Sequence, residues 1–184
     1  MKRRILLALF VATLFVCVLS SYPLRTVNGQ TEDAKRPLIR LQGIDHNFYD
    51  VAEMKGSVVL VSFGATWCVP CSGELFALEE LKHEYRGKPV RFFWVTLEND
   101  AQISDSGLKR YATQHKLSFP VLRDPTKTAY LQFSARIRLP MIVLFDKDGH
   151  VDGPARFGMS SDVNSYKTQM RARLDALLSP ASTQ

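Results

Sequence analysis

The order of strand-like and helix-like segments predicts one α/β domain with a central mixed β-sheet flanked by helices. Three observations carry this expectation. Two near-continuous apolar runs, residues 58–63 and 90–97, have the character of strands buried on both faces. Segments with helical apolar spacing follow each of them. The chain, at 184 residues, is long enough for one real core and too short for two comfortable ones.

In chain order, residues 38–41 read as a short strand and residues 51–56 as a helical turn ended by Gly56. After the strand at 58–63 a helix runs to about Tyr85, closed by Gly87 and Pro89. Its positions 74, 78, 81 and 85 share one face, of which Leu78, Leu81 and Tyr85 are apolar. The second buried strand, 90–97, is followed by a helix from Ser104 to His115 with Leu108, Tyr111 and Ala112 on one side. Residues 119–122 read as a strand, and Asp124-Pro125 opens a helix reaching about Phe133. A strand at 141–145 turns at Lys147-Asp148-Gly149 and returns over 151–157. Ser161 caps a last helix whose stripe is Val163, Tyr166, Met170, Leu174 and Leu177.

Hydrophobic residues make up 46% and charged residues 23%, ordinary for a folded protein. The net charge of +6 is unevenly placed. Lys2, Arg3, Arg4 and Arg25 supply four of the 24 bases within the first 29 residues, where no acid occurs, so the rest carries only +2 against its 18 acids. No dense basic patch interleaves with aromatics, and no nucleic-acid partner is expected. A basic start followed by an uncharged run at 5–19 reads as an export signal, with Ser20, Ser21 and Val27-Asn28-Gly29 as cleavage-like sites. Extended through Leu24, the same run also suits an uncleaved anchor. Both readings send the remainder out of the cytoplasm. Cys17 lacks the preceding small residue that a lipid-attachment site wants. The expected organisation is a signal peptide or membrane anchor at 1–29, a linker at 30–36, one domain at 37–178 and a tail at 179–184.

Beyond that first segment the only cysteines are Cys68 and Cys71. Structural disulfides restrain the unfolded chain by closing long loops, and a bridge across two residues closes almost nothing. This favours redox or metal chemistry. The pair lies between a buried strand and the following helix. There Cys68 meets unpaired N–H groups and the positive end of the helix dipole, which lowers its pKa and suits an exposed, reactive sulfur. Cys71 lies one turn later, placed to attack a mixed disulfide. Pro70 is tolerated in the first turn, where its missing donor would be unpaired anyway. A zinc site would need further ligands, and His46, His83, His115 and His150 are scattered singly. A peroxidatic cysteine would sit in a PxxxTxxC arrangement, which residues 60–71 do not show.

The segment Phe63-Gly64-Ala65-Thr66-Trp67-Cys68-Val69-Pro70-Cys71-Ser72-Gly73-Glu74 resembles the active site of the thioredoxin superfamily. Within it, the chain is most similar to TlpA/ResA-like envelope thiol–disulfide oxidoreductases, over roughly residues 37–178. The resemblance implies a thioredoxin-like fold, with the residues between Leu97 and Ile137 as an inserted helix and strand plus the following helix. It implies that Pro140 is the cis-proline facing the cysteines, with Leu139 placed to pair with an extended substrate segment. The other reading of Pro140 is an ordinary strand-start proline.

Glu74 ends an apolar helical face one turn from Cys71. Burial would raise its pKa toward a range useful for proton transfer, and the resemblance suggests the same role. The bland reading is a solvated first-turn acid. Ser62 stands where cytosolic thioredoxins carry a buried aspartate, so the acid role would need another residue. Three departures from the family pattern stand out: Leu139 and Met141 flank the proline where a threonine is common, and Gly64 replaces a common aromatic.

The expected activity is reduction of client-protein disulfides in the cell envelope, with Cys68, Cys71 and Glu74 catalytic and Trp67, Pro70, Leu139 and Pro140 meeting the substrate. By resemblance, clients include cytochrome c or copper-site assembly proteins, and a membrane dithiol regenerates the pair. The expected state is a monomer with no cofactor beyond the Cys68–Cys71 disulfide, and with no metal. The alternatives are a DsbA-type dithiol oxidant, a thiol-based metal carrier and an inert scaffold.

Overall fold

The computed structural model describes residues 37–179. The expected signal or anchor at 1–29, the linker at 30–36 and tail residues 180–184 lie outside the described residues.

Strand β3 (Val58–Gly64) is buried along its whole length. Its β-branched, apolar sequence offers packing surface to both sides of a sheet, which only a central strand can satisfy. It pairs in parallel with β4 (Val90–Thr96) and antiparallel with β6 (Met141–Phe145). Beyond β4 comes β5 (Val121–Arg123), parallel, then β1 (Arg40–Gly43) and β2 (Phe48–Asp50), both antiparallel to their neighbours. On the other side β6 carries β7 (Arg156–Phe157). The seven-stranded order is β2-β1-β5-β4-β3-β6-β7, a mixed sheet as expected.

The two sheet faces are covered differently. Helices α1 (Val69–Glu84), α2 (Asp105–Gln114) and α3 (Val163–Leu178) bury Leu75, Leu78, Leu81, Leu108, Tyr166, Met170 and Leu174 against Leu60, Phe92, Trp94 and Leu144. The opposite face, with Val59, Val61, Phe63, Val95 and Val143, is closed by two 3-10 turns, Val51–Glu53 and Tyr130–Gln132, and their flanking segments.

Three local expectations are corrected, and one strand is added. The helix expected from Asp124 to Phe133 is only the turn Tyr130–Gln132. The buried Asp124 carboxylate accepts the Tyr130 N–H at 2.8 Å, and Lys127 takes φ 60°, so side-chain bonding and a left-handed residue replace helical geometry. Strand β2 was not expected, because three residues show no period. Asp45 makes it by accepting from the Asn47 N–H at 3.1 Å and the Tyr49 hydroxyl at 2.6 Å, which tightens the turn from β1. The return over 151–157 is broken. Val151 faces Phe145 and Arg156 faces Ile142, so five residue steps oppose three, and Gly153-Pro154 fall in the excess. Lastly, α3 is capped by Asp162 and not by Ser161, its carboxylate accepting the Asn164 N–H at 2.9 Å.

That cap is directly testable. Asp162→Ala should lower stability by about 1 kcal/mol in urea unfolding, whereas Ser161→Ala should change it by less than about 0.5 kcal/mol.

Candidate active site

Parallel pairing sets Gly64 beside Thr96, so β3 and β4 end together at one edge of the sheet. The chain leaves β3 through a turn in which the Cys68 N–H donates to the Ala65 carbonyl at 3.1 Å. Cys68 is then the extended N-cap residue of α1, with ψ 99°, and the Cys71 N–H donates back to its carbonyl at 3.1 Å. Pro70 sits in the first turn, where no helical partner for its nitrogen exists. The two sulfurs are bonded, with S–S 2.03 Å and Cα atoms 5.3 Å apart. The helix start therefore places both cysteines within bonding reach, one turn apart.

One feature differs from expectation. In the disulfide Cys68 is buried, at 5% exposure, rather than open to solvent. Ala65 and Leu139 pack against the bridge, and the bond itself draws the Cys68 sulfur toward the buried Cys71. The surrounding rim is apolar and accessible. Trp67 is 65% exposed, and Val69, Pro70 and Ile137 also face solvent. Leu139 is half-buried against the sulfurs and Pro140 is buried at the head of β6, joined to Leu139 by a cis peptide bond. The loop leading to Leu139 is held by Tyr130, whose hydroxyl accepts the Arg138 N–H at 2.8 Å and donates to the Arg138 carbonyl at 3.0 Å.

Glu74 lies on the inward face of α1 and is 1% exposed. Its partners come from two other elements. Ser62 of β3 donates to Oε2 at 2.5 Å, and the Tyr166 hydroxyl of α3 donates to Oε1 at 3.2 Å. Burial pushes the carboxyl up to about 7, against the downward pull of those two hydrogen bonds. Tyr166 is itself held protonated well above its usual range, by burial first and then by the Glu74 charge. Solvated first-turn placement is thus ruled out by geometry: the carboxyl is enclosed by the sheet and two helices.

Sequence reading did not single out Glu98, Arg123 or Trp94. Glu98 is buried just past β4. Its carboxylate accepts the Thr66 N–H at 2.7 Å, the Thr66 hydroxyl at 2.7 Å and the Thr96 hydroxyl at 2.9 Å. It clamps the turn two residues before Cys68. Arg123, on the inserted strand β5, donates to the Glu98 carbonyl at 3.1 Å, the Ile103 carbonyl at 2.8 Å and Asp105 at 2.8 Å. The insertion is therefore bonded to the site and not merely peripheral. A signal existed: Glu98 follows a buried strand, and strand ends at one sheet edge are where α/β sites gather. At the opposite end of β6 from Pro140, Asp146, Asp148 and His150 converge, but Asp146 Oδ1 is already bonded to the Asp148 and His150 N–H groups as the turn itself.

Comparison with known proteins agrees with this geometry. The Redoxin family model matches residues 31–170. The thiol–disulfide oxidoreductase ResA of Bacillus thuringiensis subsp. konkukian is 33% identical over 102 residues, covering 55% of this chain and 56% of that protein. The chain thus spans about half the length of the curated relatives it matches. Among solved structures, a thioredoxin-family thiol:disulfide interchange protein of Chlorobium tepidum superposes with a TM-score of 0.64 at 19% identity, over 78% of this chain and 95% of that one. The exposed lipoprotein thioredoxin Etrx1 of Streptococcus pneumoniae gives 0.61 at 23% identity, over 76% and 99%. These structural likenesses show the thioredoxin-like fold. With a family match that runs through nearly the whole described domain, the chain belongs to the Redoxin family, as a thioredoxin-superfamily protein of the TlpA/ResA-like kind.

Proposed function

We propose that this protein is a thiol–disulfide oxidoreductase that reduces disulfides of client proteins outside the cytoplasm. The observation that carries the proposal is the Cys68–Cys71 bridge at the first turn of α1, with a buried acid of near-neutral pKa on the same helix.

In the reduced protein the Cys68 thiolate, favoured by the helix dipole, attacks one sulfur of a client disulfide. The client S–S bond breaks, and its departing sulfur leaves as a thiolate that takes up a proton. Cys71 then attacks the Cys68 sulfur, which releases the second client sulfur in the same way. The protein ends as the Cys68–Cys71 disulfide, and the client has gained two electrons and two protons. A membrane dithiol donor returns both. Cys71 must lose its proton to attack, and Glu74, one turn away with its pKa near 7, is the group to take it. Trp67, Pro70 and the half-buried Leu139 form the apolar rim on which an extended client segment lies, with Pro140 buried behind Leu139 and setting its backbone direction.

The basic, then uncharged, opening of the chain supports export or anchoring at the outer face of a membrane. The name of the S. pneumoniae relative, an exposed lipoprotein, points the same way. The resemblance of the segment around the cysteines suggests cytochrome c assembly proteins as clients, with copper-site assembly proteins as the other class, served by a monomeric domain.

Three outcomes test this reading. Cys68→Ser should bring dithiothreitol-driven insulin reduction down to the uncatalysed background, and Cys71→Ser should trap a client as a mixed disulfide visible by mass spectrometry. A catalytically unaffected Cys68→Ser protein would end the proposal.

Direction is read from the potential against a glutathione series. A reductant should lie closer to about −270 mV than to about −120 mV, and a value near the upper figure would make the protein an oxidant.

Glu74→Gln should remove an inflection near pH 7 from the rate of mixed-disulfide resolution. It should also change the pH dependence of stability. An acid whose pKa is about 7 when folded and 4.5 ordinarily keeps its proton in the fold. Its contribution is complete below pH 4.5 and is lost as pH rises through 7. Glu74→Gln should therefore be the more stable protein at pH 8, by up to about 3 kcal/mol, with little difference at pH 4.

A further inference from the structure

Strand β4 carries one of the two tryptophans in the chain, Trp94. Its side chain is wholly buried and stacks on Tyr111 of α2, with ring centroids 5.3 Å apart and an interplanar angle of 20°. Tyr111 in turn approaches the Ser72 hydroxyl of α1 at 3.4 Å, so the indole is locked between sheet and helices. Among the described residues, Trp94 Nε1 is the one buried side-chain nitrogen or oxygen with no hydrogen-bond partner. Buried donors are nearly always paired, and an exception at a reactive site calls for a cause.

The cause lies in what Nε1 faces. A Cβ placed on Gly64 would fall 2.6 Å from Trp94 Nε1 and 3.3 Å from Cys71 Sγ. The indole N–H and the buried sulfur therefore border the same small space, which a glycine at 64 leaves open. Any larger residue there would collide with the ring.

We infer that Trp94 is a hydrogen-bond donor to Cys71: once the Cys68–Cys71 bond is reduced, Nε1–H donates to the freed Cys71 sulfur and favours its thiolate. This rests on the oxidoreductase reading above and adds a residue to its resolving step. In the oxidised protein Nε1 has no partner, the Cys71 sulfur being held in its bond to Cys68, and breaking that bond frees the sulfur to turn toward the donor. A thiolate is an anion, and hydrogen bonds to anions are the strong ones. Apolar burial by itself would hold the Cys71 thiol protonated and slow its attack on Cys68. An indole N–H opposes that without exchanging protons, which separates its task from that of Glu74. The titratable groups facing this corner are Cys68 and Glu74 on α1, Tyr166 from α3 bonded to Glu74, Tyr111 from α2 against the indole, and Glu98 beyond the end of β4. Of these, none carries an N–H donor in its side chain.

The test uses the full chain labelled with 15N at its indole nitrogens, with Trp67→Phe serving only to assign the two signals. Reduction by dithiothreitol, which is itself oxidised to the cyclic disulfide, should move the Trp94 Nε1–H resonance downfield. In the reduced protein the resonance should titrate together with Cys71. Trp94→Phe, which keeps an aromatic ring and loses the donor, should raise the Cys71 pKa and leave roughly tenfold less thiolate at neutral pH. A resonance indifferent to both reduction and Cys71 ionisation overturns the inference, as does a folded Trp94→Phe protein with an unchanged Cys71 pKa. Insulin reduction by the wild-type protein is measured alongside. Turnover with a stationary resonance defeats this inference alone, and a moving resonance without turnover defeats the oxidoreductase reading alone.

Discussion

The chemistry at Cys68 and Cys71 depends on where a helix is made to begin. Because β3 and β4 pair in parallel, their ends reach the same edge of the sheet, and α1 must start there if its apolar face is to return over β3. The first turn of α1 is thereby held at that edge, with the positive end of its dipole at the tip and packed sheet beneath. Cys68 at the cap position and Cys71 a turn further in inherit different surroundings from this one constraint. Cys68 lies just beneath the accessible rim, covered by Leu139 and Ala65, and Cys71 lies in the interior.

The interior side is unusually rich in polar groups for a core. Ser62, Glu74 and Tyr166 form a chain of hydrogen bonds from β3 through α1 to α3. Thr96, Glu98 and Thr66 form another from β4 to the turn before Cys68. The two differ in consequence. Glu74 accepts from two hydroxyls only, and burial dominates, leaving its carboxyl poised near 7. Glu98 accepts three hydrogen bonds, including a backbone N–H, and acts as a fastener for the turn. Arg123 links that fastener to the inserted strand, so sequence inserted between β4 and β6 reaches the geometry of the cysteines.

The sequence made the strands and helices near the site legible wherever the pattern was long. Seven-residue buried strands and a sixteen-residue helix leave periodicities that a single sequence displays. It failed where structure is made by one side chain. Asp124, bonded to Tyr130, unmade an expected helix, and Asp45 made an unexpected hairpin. Such choices depend on which neighbours a carboxylate finds, and no period announces them.

What the sequence determined by itself was the reactive pair, its place between strand and helix, and the acid at Glu74, since these follow from spacing along one segment. What only the tertiary structure decided was the company those residues keep. Leu139 over the bridge, Tyr166 on Glu74, Glu98 on Thr66 and the indole of Trp94 across Gly64 all come from chain segments remote in sequence. The reason is physical: a thiol or carboxyl takes its reactivity from burial and from nearby donors, and both are set by packing between segments rather than by order along the chain.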